Sequence, residues 1–469
     1  MAEIETDYLV IGAGASGMAF TDALIADAEV DVVMVDRRHS PGGHWNDAYP
    51  FVRLHQPSAT YGVTSRPLGT ETIDASGPNA GFYERATGVE ICDYFRRVLE
   101  EQLVGSGQVR FFGQCDYGGH HAGDHAFSSG LTGVTTTVRV RQKVVDATYL
   151  ETSVPATHTP AFAVGDGVKV IPVGELVDVI EPPSGFTVLG AGKTAMDACS
   201  FLLDNGVDPD KIRWVRPRDA WLMNRSSWQP LDLVASTVES LSLVLESLAE
   251  AENLDDLFRR LEACGALLRL DPAVEPTMFR GAIVSPAEHQ TLMQIERVVR
   301  QGRVHRIDTD RILLDDGEIP TDRGTIHVDC TAYGLREVAP RPIFEEGRIT
   351  SQSLMGGFTT FNAAMVGFVE AARDDDADKN RLCPPTAYPS QSIDWISVFE
   401  GGFRVITQML QEPDLAAWLG TCRLNTTRGM NDHMGDPRMQ AALGRWFEHM
   451  EPALANAERL RARASSLSR

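Results

Sequence analysis

Short apolar runs that stop abruptly at glycine or charge organise most of this chain. Tyr8-Leu9-Val10-Ile11, Val30 to Val35, Phe186-Thr187-Val188-Leu189 and Ile212-Arg213-Trp214-Val215 each read as a strand. Two further apolar runs, Val144 to Tyr149 and Ile326 to Gly334, have the same character. From Leu231 to Leu268 the pattern changes: apolar residues recur at three- and four-residue spacing, which predicts amphipathic helices. The tail from Asp394 to Arg469 is also helical in pattern, punctuated by Gly401-Gly402 and Pro413. Asp374-Asp375-Asp376-Ala377-Asp378 reads as a solvated loop, and Asp316-Gly317 as the turn of a hairpin that begins at Arg311.

Two of the strands run into the same glycine signature. Gly12-Ala13-Gly14-Ala15-Ser16-Gly17 follows the first, and Gly190-Ala191-Gly192-Lys193-Thr194-Ala195 follows Leu189. A first glycine permits the tight turn, a second lets backbone approach a pyrophosphate, and a third lets the helix pack close to the strand. Free N–H groups at the helix start, near Ala15 and Ser16, then face the phosphates. The second helix spans Lys193 to about Asp204 and stops at Asn205-Gly206. Asp36, with Arg37 behind it, ends the strand after the first signature, at the spacing of a ribose-binding carboxylate. The corresponding strand after the second ends in Arg216-Pro217-Arg218, which suits the 2′-phosphate of NADP; Asp219 close by opposes that reading.

Composition narrows the class. The chain has 469 residues, 43% of them hydrophobic, enough for two or three domains. With 43 Lys+Arg against 65 Asp+Glu the formal charge is −22, which disfavours nucleic acid as a partner. No apolar run approaches the roughly 20 residues that span a bilayer, and no secretory pattern precedes the first strand. The seven scattered cysteines read as reduced, buried thiols, and the expected location is cytoplasmic. His120-His121-Ala122-Gly123-Asp124-His125 has metal-ligand residue types, but its glycine surroundings favour a hairpin loop, and no metal is expected.

Pro41-Gly42-Gly43-His44-Trp45, followed by Tyr49-Pro50 and Arg53, resembles the flavin-containing and Baeyer–Villiger monooxygenases within the two-dinucleotide-domain flavoproteins. That resemblance implies an α/β fold with two Rossmann-like domains, the NADP domain inserted in the FAD domain, and helical additions. The implied boundaries are 1–180 and 326–385 for the FAD domain, 181–325 for the NADP domain with a helical insertion at about 230–300, and 386–469 for a helical C-terminal region. The implied FAD site takes in Gly12, Gly14, Ala15, Ser16, Gly17, Asp36, Arg37, Gly43, His44, Trp45 and Thr148. Phe361 and Asn362 would start the last flavin-side helix, and Asp329 marks the second crossing between domains. Gly190, Gly192, Lys193, Thr194, Ala195, Arg216 and Arg218 would take NADPH. Arg53 and His55 fall where the family chain passes the flavin's reactive face, so they are the candidate catalytic pair: Arg53 to stabilise anionic flavin, His55 to relay protons.

The implied reaction is NADPH-driven oxygenation of a small organic substrate by O2 through a peroxyflavin. No cysteine lies between Gly43 and Cys92, which excludes the dithiol chemistry of similarly built disulfide reductases. The family's Phe-x-Gly-x-x-x-His pattern is absent, since no histidine follows Phe162 before Gly190. A reductase, an oxidase releasing peroxide, and a non-catalytic nucleotide-binding regulator therefore stay open, as does the oligomeric state.

Overall fold

The computed structural model describes residues 2–121, 124–150 and 152–467. The first sheet is built around the strand Ala2–Ile11, which pairs in parallel with Val32–Val35 on one side and with the long strand Thr135–Asp146 on the other. Val109–Phe112 extends one edge, and Arg348–Thr350 with Phe344–Glu345 extends the other. The hairpin Cys115–His121 with Asp124–Ser129 stacks on the early half of Thr135–Asp146; Ala122 and Gly123 at its tip lie outside the described residues. Val32–Val35 is fully buried, as a strand covered on both faces must be.

Helix Thr359–Ala372 crosses helix Ala15–Asp27 so closely that a Cβ on Gly367 would lie 2.4 Å from the Phe20 carbonyl oxygen. Both helices enter the same core as Val10, Met34 and Val145.

The second sheet is wholly parallel, in the order Val298–Val299, Ile212–Val215, Gly185–Leu189, Thr325–Asp329, Lys169–Pro172. Its membership reaches beyond residues 181–325 at the front, through Lys169–Pro172. Helices Lys193–Asp204 and Pro286–Leu292 cover one of its faces. The hairpin Arg311–Leu314 with Gly317–Pro320 packs nearby, turning at Asp315-Asp316. Between the sheets the two connecting segments pair with each other, Ser153 opposite Gly334 and Thr152 opposite Leu335.

A third core joins parts of the chain far apart in sequence. Helices Val234–Glu250 and Leu254–Ala263 and the strands Ala220–Asn224 and Met278–Val284 share it with helices Asp394–Gln411 and Pro437–Leu467. Gly401 and Gly402 do not interrupt the tail but sit inside Asp394–Gln411. A Cβ on Gly401 would come 2.9 Å from Thr386 Oγ1, so the small residue serves close packing. Asp374 to Asp378 also differs from a loop: Asp375 caps helix Asp376–Leu382 by accepting from Ala377 N, and Asp376 and Asp378 lie in its first turn. Among the described residues no helix is long and apolar enough to cross a membrane. The seven cysteines are free thiols, five of them buried.

Candidate functional site

The two glycine turns are built alike, and the likeness extends past the glycines. At the first, Gly12 has φ +99° and donates its N–H to Val35 O; at the second, Gly190 has φ +126° and donates to Val215 O. A Cβ on Gly17 would lie 2.0 Å from Gly12 O, and one on Gly190 would lie 2.6 Å from Cys330 O, so neither position accepts a side chain. Beside each turn the neighbouring strand ends in Asp-x-Thr. Thr148 donates its N–H and hydroxyl to Asp146 Oδ1 at 3.0 and 2.8 Å; Thr331 does the same to Asp329 Oδ1 at 2.9 and 2.6 Å. Thr148 and Asp329 thus occupy related places in two copies of one device.

The first turn is faced by the second pair of glycines. Gly42 and Gly43 have φ +112° and +58°, and Gly43 Cα lies 3.5 Å from where a Gly14 Cβ would stand. Asp36 is buried and accepts from Ala13 N and Arg38 N, each at 2.7 Å, while Arg37 is exposed. The ring of His44 stacks on Trp45, whose Nε1 donates to Tyr61 OH at 2.8 Å. Burial, aided by Arg38, pulls the His44 imidazole down to about 4, so it is neutral at pH 7. At the second turn a Cβ on Gly192 would meet nothing within 4 Å, so this backbone faces open space.

That space is a cavity of about 710 Å³. One wall is the second turn from Leu189 to Thr194; another is the segment carrying Trp45, Tyr49, Leu54 and His55; a third is Gly356 to Thr359, where helix Thr359–Ala372 begins. Tyr49 OH donates to Asp197 Oδ2 at 2.6 Å, and Lys193 pairs with the other oxygen of Asp197. Burial and this carboxylate push the Tyr49 phenol well above its ordinary value.

Beneath His55 lies a buried charge network. Glu288 binds Arg85 Nη2 at 2.9 Å and Arg225 Nη2 at 2.7 Å, and Arg225 Nε donates to the His55 carbonyl at 2.8 Å. Burial first, then Lys193, Arg225 and Arg85, hold the His55 imidazole well below 6.5. Against its own desolvation, Arg225, then Lys193 and Arg85, hold Glu288 at about 2.

The predicted residues separate on this frame. His55 lines the cavity, but Arg53 is exposed, donates to the Arg85 carbonyl at 3.1 Å and is not brought to it. Its backbone forms an antiparallel bridge with Thr87. Arg218 lines the cavity, whereas Arg216 turns inward over the Trp214 ring and pairs with Asp219 at 3.2 Å. Asp219 also holds Arg300, so Arg216 is committed to structure. Phe361 packs against Trp418, and Asn362 Oδ1 accepts from Met355 N beside the Gly356–Gly357 loop; neither lines the cavity. Lys193 and Thr194 line it together with Gly190 and Gly192; Ala195 is buried in the second core.

Sequence reasoning missed Asp197, Arg85, Arg225 and Glu288. Only Asp197 had a signal, one turn beyond Lys193 on the helix that follows the glycines. The others meet across 63 residues (Arg225 with Glu288) and 203 residues (Arg85 with Glu288), where no spacing relates them.

Residues 10–64 match the NAD(P)-binding Rossmann-like domain family. The structure is similar to an oxidised steroid monooxygenase bound to NADP, with TM-score 0.51 and 15% identity over 88% of this chain and 98% of that one. It is also similar to the polycyclic ketone monooxygenase of the fungus Thermothelomyces thermophila, with TM-score 0.50 and 12% identity over 96% and 90% of the two chains. In sequence it is 45% identical over 423 residues to the uncharacterized proteins Rv2000 of Mycobacterium tuberculosis and Mb2023 of Mycobacterium bovis, covering 90% of this chain and 78% of theirs. The chain therefore belongs to the family of these mycobacterial proteins, built on the two-dinucleotide-domain fold of the flavin-dependent monooxygenases.

Proposed function

We propose that this protein is an FAD-dependent oxidoreductase that uses NADPH and O2 to oxygenate an organic substrate. The observation that carries the reading is the single cavity bounded both by the second glycine turn and by the Trp45–His55 and Gly356–Thr359 segments. A nucleotide held at one turn and a flavin held at the other would meet in that space. The turn at Gly12–Gly17 suits a pyrophosphate, since Gly12 and Gly17 leave no room for side chains and the first-turn amides of the following helix, near Ala15 and Ser16, have no partner within the helix. Asp36 spends one lone pair of each oxygen on backbone, leaving others for ribose hydroxyls. Gly43, His44, Trp45 and Thr148 would complete the FAD site.

Gly190, Gly192, Lys193 and Thr194 would hold the NADPH pyrophosphate, with Arg218 near the 2′-phosphate. Bound FAD would supply hydride acceptance and oxygen activation, which belong to the cofactor. The chain's own residues orient the two nucleotides and keep water out through an apolar lining. His55, held neutral beside Arg225 and Lys193, can accept or donate a hydrogen bond in the cavity without adding charge. The positive surroundings of Arg225, Arg85 and Lys193 favour an anion in that corner.

Product stoichiometry tests the reading. With a substrate present, NADPH oxidised and oxygenated product formed should match one to one. Stoichiometric peroxide with no product would instead establish an oxidase, and no NADPH oxidation a non-catalytic binder.

A further inference from the structure

A second, smaller pocket of about 190 Å³ lies at the other end of the second sheet. The glycine turn sits where the strands Gly185–Leu189 and Ile212–Val215 end, whereas this pocket opens where they and Thr325–Asp329 begin. The length of a strand separates the two, about 13 Å at the usual rise per residue, and they share no lining residue.

On this face of the sheet the strands carry a polar row. Arg213, Thr187 and His327 stand in register on three neighbouring parallel strands and so point to the same side. His327 is committed, with Nδ1 at 3.2 Å from the Lys169 carbonyl and Nε2 at 3.1 Å from the Thr321 hydroxyl. Thr187 is not. It is 1% exposed and lines the pocket, and its hydroxyl has no hydrogen-bond partner among the described residues. A buried hydroxyl left unpaired is costly, and a ligand that accepts from it would relieve that cost.

Three cations line the same pocket: Lys211, Arg213 and Arg297. None of them makes an ion pair among the described residues, in a chain with 65 acidic residues to 43 basic ones. Arg213 Nη1 donates to the Pro320 carbonyl at 2.5 Å, and Arg297 Nη1 donates to the Asp210 carbonyl at 2.7 Å. Each guanidinium is thus anchored by one N–H, with its other donors lacking a protein acceptor. Burial, and then the neighbouring Arg297, hold Arg213 below its ordinary value. Asp322 is the one carboxylate among the described residues of the lining. Its Oδ1 accepts from Ser184 Oγ at 2.7 Å and from Gly324 N at 2.8 Å, which ties it to the turn before Thr325.

We propose that this pocket binds a phosphate-type oxyanion, as the free ion or as the phosphate of a small ester, through Arg213, Arg297, Lys211 and the Thr187 hydroxyl. Guanidinium groups bind phosphate oxygens in pairs, an ammonium adds a point charge, and a hydroxyl donates to the remaining oxygen. The volume is below the roughly 300 Å³ at which drug-sized ligands are taken, so a dinucleotide does not fit. The site does not depend on the function proposed above.

Inorganic phosphate tests it, titrated calorimetrically into the full chain loaded with FAD and saturated with NADP⁺, so that both glycine turns are filled. Sodium chloride holds the ionic strength constant, which removes general screening. One saturable site is expected, with a Kd of about 1 mM or below. Arg297→Gln alters an exposed side chain and should weaken binding about tenfold, as loss of a charge-assisted bond does. Thr187→Val keeps the shape and removes the hydroxyl, and should weaken binding several-fold; FAD content should be unchanged in both variants. Glycerol 3-phosphate distinguishes the source: tighter binding than phosphate assigns an ester, weaker binding the free ion. No saturable phosphate binding up to about 10 mM, or equal affinity in the folded variants, would overturn the proposal. Should the chain bind neither nucleotide, the oxidoreductase reading fails, while the same titration of the chain alone still reads this pocket through its two variants.

Discussion

Replacing Glu288 by glutamine keeps the shape of the buried network and removes its only negative charge. Glu288 lies between Arg85 and Arg225, at 2.9 and 2.7 Å, and Arg225 is completely buried. At an effective dielectric near 20, each pair contributes about 4 kcal/mol of attraction at 4 Å, offset by the desolvation of all three groups. Removing the central partner leaves two buried guanidinium groups facing each other, a situation that costs about 3–5 kcal/mol. The same change weakens the cap of helix Pro286–Leu292, because Glu288 Oε2 accepts from Ser285 N at 2.9 Å.

Denaturant unfolding of the FAD-loaded protein should report a loss in that range. The cavity should change with it, since Arg225 also holds the His55 carbonyl. Adding Arg85→Gln to the variant removes one of the two uncompensated charges and should recover part of the loss. A loss below about 1 kcal/mol, or a further drop in the double variant, would refute the electrostatic reasoning.

Gly17→Ala should yield protein without bound FAD, because its Cβ would meet Gly12 O at 2.0 Å and force the helix away from the turn; stoichiometric FAD in that variant would contradict the assignment. Arg218→Ala should raise the KM for NADPH about tenfold and leave NADH little changed, as expected for loss of a charge-assisted bond, whereas Arg216→Ala should lower the unfolding midpoint instead. Acid should destabilise the fold in two stages. The folded pKa of His44 is about 4 against an ordinary 6.5, so the unfolded state binds more protons and up to about 3 kcal/mol is lost as pH falls from 6.5 towards 4. Glu288 adds a further loss as pH falls from 4.5 towards 2. Stability measured across that range should fall monotonically; His55, also held below its ordinary value, adds to the upper stage, so His44→Gln should shrink that stage without abolishing it.

Both dinucleotide turns were legible in the chain because they depend on the absence of side chains, and a missing Cβ leaves its mark directly as glycine. The strands around them were legible for a related reason, since short buried strands must be apolar throughout. Arg53 and His55 show the limit of such reading. Two residues apart in an irregular segment, they part company: the exposed Arg53 extends to the Arg85 carbonyl, while His55 lines the cavity. Arg216 and Arg218 separate likewise once Asp219 claims the first. Both helical regions could be recognised by periodicity, but not their shared core, because an amphipathic face announces burial without naming its partner. The part of the cavity lined by Leu241, Val244, Trp395 and Trp446, where those two regions meet, was hidden for the same reason.

Two nucleotides that meet in one chamber would exchange a hydride. The most direct test is to add NADPH anaerobically to the purified, FAD-loaded protein and follow the visible flavin band. The flavin band should bleach fully at about one NADPH per FAD, and the oxidised spectrum should return on admission of air. Protein that binds no FAD, or whose flavin band is untouched by excess NADPH, would contradict it.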